Sequence, residues 1–79
     1  MYAVQQYEFT DGQYIYYVSA LFGSDTWAVC KREVDKKPMG IHKYRSSKNP
    51  TVSTPEEAYG NMVALAKKKG WRLIKAEED

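Results

Sequence analysis

The chain has one cysteine and one histidine among its 79 residues. A single thiol excludes an intramolecular disulfide, and one Cys with one His falls short of the four ligands of an all-Cys/His structural zinc site. No run approaches the ~20 apolar residues of a membrane-spanning helix, and the N-terminus lacks the basic-then-apolar order of a signal peptide. A soluble, cytoplasmic protein without membrane contact is therefore expected. Gly-rich phosphate loops, nucleophile elbows and metal-binding helix motifs are absent, as are internal repeats and low-complexity tracts. Charge of one sign is also scarce: 12 Lys and Arg stand against 10 Asp and Glu, a net charge of +2.

What is present suits a folded domain. Hydrophobic residues make up 43% and charged residues 28%, ordinary globular usage and far from the composition of disordered chains. The length allows one small domain, expected over residues 1–75, with 76–79 (AEED) as a frayed acidic tail. Seven Tyr and two Trp supply much apolar area per residue, which a domain this small needs to build a core.

The first half is rich in β-branched and aromatic residues, which predicts strands over 2–10, 13–22 and 26–34. Asp11-Gly12 is a tight hairpin turn, and Gly23-Ser24-Asp25 makes the next reversal. Pro38 and Gly40 turn the chain again before a short fourth strand over 41–46, followed by a polar loop over 47–53. Thr54 then opens a helix as N-cap, with Pro55 at the first helical position and Glu57 three residues after the cap. Ala58, Met62, Leu65 and Ala66 form its apolar stripe. Lys67, Lys68 and Lys69 complement the dipole at its end, and Gly70 stops it. Residues 71–75 (WRLIK) read as a last strand. The expected fold is α+β, a small antiparallel four- to five-stranded sheet with one helix packed on one face, in the order β-β-β-β-α-β.

Catalytic groups are sparse. Cys30 and His42 are the one conceivable nucleophilic pair, but a Cys between Val29 and Lys31 in a strand reads as a small buried hydrophobe. The carboxylates are spread over turns, strand faces and helix ends, so a non-enzymatic protein without cofactor or metal is expected. Charge distribution is more informative. From Lys31 to Lys48 seven basic residues (Lys31, Arg32, Lys36, Lys37, Lys43, Arg45, Lys48) meet two acidic ones, Glu33 and Asp35. Strand alternation puts Trp27, Val29 and Lys31 on one face of the third strand, and Lys43 and Arg45 on one face of the fourth. If the charged ends mark the open side, Trp27, Lys31, Lys36, Lys37, Lys43, Arg45 and Lys48 form an exposed aromatic and basic surface.

Two uses of such a surface are expected. Tyr, Trp and Arg are the anchor residues of protein interfaces, which favours a protein-interaction, accessory or inhibitor module that binds a protein partner or itself. Rings beside cations also suit single-stranded nucleic acid, with bases stacking and phosphates following the charge. In architecture alone, the element order is similar to small single-stranded DNA-binding folds with a curved sheet and one helix. No RNP-type aromatic motif accompanies it.

Overall fold

The computed structural model describes residues 5–21, 26–36 and 40–78, with side chains described for 7–21, 26–36 and 40–75. Its elements are β1 (Gln5–Thr10), β2 (Tyr14–Ala20), β3 (Trp27–Glu33), α1 (Pro55–Lys69) and β4 (Arg72–Glu78). They form one antiparallel sheet in the order β3-β2-β1-β4 with the helix on one face, an α+β domain. The parts of the expected strands at residues 2–4 and Phe22 lie outside the described residues.

The β1–β2 hairpin is locked by its turn. Gly12 takes a φ of 99°, which glycine adopts at little cost. The Asp11 carboxylate accepts the Gln13 and Tyr14 amides at 2.9 and 2.8 Å through Oδ1. The Thr10 hydroxyl donates to the Tyr14 carbonyl at 2.7 Å and accepts from the Gly12 amide at 3.0 Å. Turn polar groups are thus satisfied within five residues, and the strands leave in fixed register.

The expected fourth strand does not form a ladder. Segment 41–46 touches the outer edge of β3 only through an isolated bridge between Cys30 and Lys43. The Lys31 amide donates to the His42 carbonyl and the Tyr44 amide to the Val29 carbonyl, each at 2.9 Å. The chain then turns at Ser46, whose carbonyl accepts the Asn49 amide at 3.1 Å. Asn49, completely buried, completes the edge with its side chain. Its Oδ1 accepts the Val29 amide at 3.0 Å, and its Nδ2 donates to the Val29 carbonyl at 3.0 Å and the Tyr44 carbonyl at 2.6 Å. A second bridge, between Trp27 and Val52, closes the far end with bonds of 2.7 and 2.9 Å. Two isolated bridges and one carboxamide therefore stand where a continuous fourth strand was expected, and the order becomes β-β-β-α-β.

The helix follows the sequence reading. Thr54 caps it in extended conformation, its hydroxyl accepting the Glu57 amide at 3.3 Å, and Gly70 ends it at a φ of 76°. Ala58, Met62, Leu65 and Ala66 are buried against β2 and β3, where Phe9, Tyr16 and Val29 complete the core. The acidic C-terminus departs from expectation. β4 continues to Glu78 along β1, with Gln5 opposite Glu78 and Gln6 opposite Glu77, because a neighbouring backbone satisfies peptide groups whatever charge the side chains carry. Between Leu73 (opposite Phe9) and Lys75 (opposite Glu8), Ile74 is the extra residue of a β-bulge.

Candidate interaction surface

Strand alternation divides the sheet into two chemically different faces. The helix-bearing face holds Tyr7 and Phe9 of β1, Tyr14, Tyr16 and Val18 of β2, and Val29 of β3. Trp71, just after the helix, stacks on Tyr16 with ring centroids 3.7 Å apart and planes 4° from parallel. Tyr44 meets both rings edge-on at 5.4 and 5.3 Å, and Tyr7 meets Tyr59 of the helix at 5.9 Å. The Tyr16 hydroxyl donates to Asp11 Oδ2 at 2.7 Å. Burial and that carboxylate push the Tyr16 phenol well above its ordinary range. Burial also pushes the Asp11 carboxyl upward, but the Tyr16 hydroxyl and the Tyr14 and Gln13 amides outweigh it and hold the group below its ordinary value. Asp11 is thus committed to the turn and the aromatic cluster.

This geometry corrects the expected open face. Val29 is fully buried against the helix, and Trp27 and Lys31 share its parity, so both lie on the helix side, half-buried. Lys31 places Nζ 4.5 Å from the centroid of the Tyr14 ring, a cation–π contact at the margin of the core. Trp27 is tied by its backbone to Val52. The large apolar set Tyr14, Tyr16 and Val18 carries the signal for this choice, since Val18 pairs with Val29.

The helix-free face carries the cations. One row runs Arg72–Thr10–Ile15–Arg32 across all four strands. In the next, Lys75 faces Glu8 on one side of the sheet, while Tyr17 faces Cys30 and Cys30 faces Lys43 on the other. Arg32 reaches diagonally over β2 to Glu8, 3.5 Å away, with its guanidinium 6.0 Å from the centre of the Tyr17 ring. Arg32, Lys43, Arg72 and Lys75 thus share this face, with Arg32 and Lys75 on either side of Glu8. Burial, then the neighbouring Cys30, raises the Tyr17 phenol. Ala28 and Cys30 on this face are completely buried.

Of the expected site residues that are described, Lys43 has a register position on this face, opposite Cys30. Arg45 and Lys48 are exposed in the connection after it. Lys36 is exposed beyond β3 and pairs with Glu33 at 3.0 Å. Lys37 lies outside the described residues. Sequence reading passed over Arg32, Arg72, Lys75 and Tyr17, whose grouping depends on the register across four strands.

The one thiol is poorly placed for nucleophilic chemistry. Burial raises the Cys30 thiol despite Lys43 nearby, which disfavours the thiolate a nucleophile needs. His42 adjoins Lys43, the bridge partner of Cys30, so imidazole and thiol project to opposite sides. Among the described residues no three His, Cys, Asp or Glu side chains gather to hold a metal ion, and no helix is long and apolar enough to cross a membrane. Two shallow hollows flank the hairpin turn, about 190 Å³ beside Gly70 and Arg72 and about 350 Å³ beside Glu33 and Lys36. No family model matches the chain, and no curated protein or solved structure shows significant similarity to it.

Proposed function

We propose that the chain is a small, non-enzymatic protein-interaction module, acting in the cytoplasm as an accessory or inhibitory partner, whose contact surface is the helix-free face of the sheet. The observation that carries this reading is the placement of Arg32, Lys43, Arg72 and Lys75 on one sheet face with Tyr17, where Arg32 and Lys75 flank Glu8. Arg and Tyr give high contact energy at interfaces, and a hydrogen-bonded sheet presents them with little ordering cost. The partner that fits is an acidic protein surface.

Single-stranded nucleic acid fits the cations but not the rings. A stacking platform needs free aromatic faces beside the charges. Tyr16 and Trp71 are already face to face at 3.7 Å on the other side of the sheet, and Tyr17 lies beneath Arg32. The test is site-specific photo-crosslinking in the native cell, with a photoreactive aromatic residue replacing Tyr17 and, as control, exposed Ala64 on the helix. A discrete protein adduct from position 17 and none from position 64 is expected. A nuclease-sensitive adduct at position 17, or equal adducts at both positions, would overturn the reading.

A further inference from the structure

We propose that the outer edge of β4 is a self-association edge, on which a second copy of this chain pairs antiparallel about a two-fold axis at Ala76. The sheet has two edges, and they differ. That of β3 is occupied by backbone groups of His42, Tyr44 and Val52 and by the Asn49 carboxamide. That of β4 has no strand beside it among the described residues. An unpaired edge is a template for another chain.

Charge selects the occupant. β4 reads Arg-Leu-Ile-Lys-Ala-Glu-Glu, basic at its start and acidic at its end, so it complements its own antiparallel copy. Two-fold pairing places each residue opposite one of the same sheet face, which restricts the axis to a residue rather than a gap between two. An axis at Lys75 sets two ammonium groups against each other, and one at Glu77 sets two carboxylates. An axis at Ala76 sets Lys75 opposite Glu77 of the second copy, twice, with two small residues at the centre. This register uses the regular part of the strand, where Lys75 to Glu78 pair with Glu8 to Gln5 without interruption, and leaves the Ile74 bulge outside its two charge pairs. Lys75 then stands between Glu8 of its own chain and Glu77 of the copy. The two sheets join into one, with the two helix-free faces continuous.

The assignment deepens the protein-interaction reading by naming one partner. It is tested by sedimentation of the full chain over a range of concentrations, for the parent, Lys75→Glu, Glu77→Lys and the double exchange Lys75→Glu/Glu77→Lys. The parent forms a dimer, each single exchange raises the dissociation constant about tenfold by placing like charges opposite, and the double exchange restores it. Circular dichroism checks that each variant is folded. Independently of charge, Ala76→Cys gives a disulfide-linked dimer on mild oxidation and Ala64→Cys does not, while buried Cys30 stays out of the reaction. A monomer at every concentration, a dimer indifferent to the single exchanges, or a double exchange without recovery overturns the proposal. A monomer that still gives the protein adduct at position 17 overturns self-pairing alone and leaves the broader reading intact.

Discussion

The two faces of this sheet are made by the same four strands, yet one is a packed aromatic core and the other sets Arg32, Arg72 and Lys75 beside Tyr17 and the buried Ala28 and Cys30. On the helix side, Tyr16, Trp71, Tyr44, Phe9, Val29 and Met62 exclude water, and the polar end of Tyr16 is tied to Asp11. On the far side, the guanidinium of Arg32 lies across Tyr17 toward Glu8, both charged side chains being partly exposed. The difference teaches how a single-layer domain divides its labour: the helix-side parity of each strand builds the aromatic core, and the other parity carries the partly exposed charges, with Ala28 and Cys30 buried among them. Substitutions on the two faces should therefore have very different costs.

Met62→Ala breaks the helix face most severely, since the side chain is fully buried between helix and sheet. It should cost about 2–5 kcal/mol, read from the midpoint of urea unfolding. Asn49→Ala tests whether the β3 edge depends on its carboxamide. Leaving the buried Val29 amide without its partner should cost about 1–3 kcal/mol and speed amide exchange at Val29. Removing the helix cap with Thr54→Ala should cost about 1 kcal/mol.

Asp11 gives the comparison a pH dependence. Its carboxyl titrates below the ordinary value in the folded chain, so its contribution is complete above that value and disappears as pH falls through the lowered one. The Asp11→Asn variant should lose less stability than the parent between neutral and strongly acidic pH, as measured by thermal melts. An equal acid loss in both proteins would detach the carboxylate from the fold's acid sensitivity. The smallest effect belongs to the helix-free face. A double-mutant cycle on Arg32→Ala and Glu8→Ala should give a coupling of about 0.2–1 kcal/mol, because both partners remain partly exposed and screened by solvent.

Much of the architecture was legible because it rests on local chemistry. Asp11-Gly12 announces the hairpin, and Thr54, Pro55 and Gly70 bound the helix within one turn of its observed limits. What escaped depends on partners distant in sequence. Residues 41–46 have the composition of a strand, but they reach β3 only at one bridge, and the Val29 amide donates instead to Asn49, which looks in sequence like one more polar loop residue. The acidic run at 76–78 looks solvated, yet β1 supplies a backbone partner for each of its residues. The site was hidden for a related reason. Alternation says that Trp27 and Lys31 share a face but not which face, and the register that sets Val18 opposite Val29 decides it. Arg72 and Lys75 join Arg32 and Lys43 only after a chain reversal through the helix and a bulge at Ile74.

The most direct test of the interaction reading is the mass of the purified chain by light scattering, at low and physiological salt, with and without a mixed-sequence single-stranded oligonucleotide. The expected result is a mass that the oligonucleotide leaves unchanged at either salt. A salt-sensitive shift to a protein–oligonucleotide complex would contradict it and assign the cations of the helix-free face to phosphate.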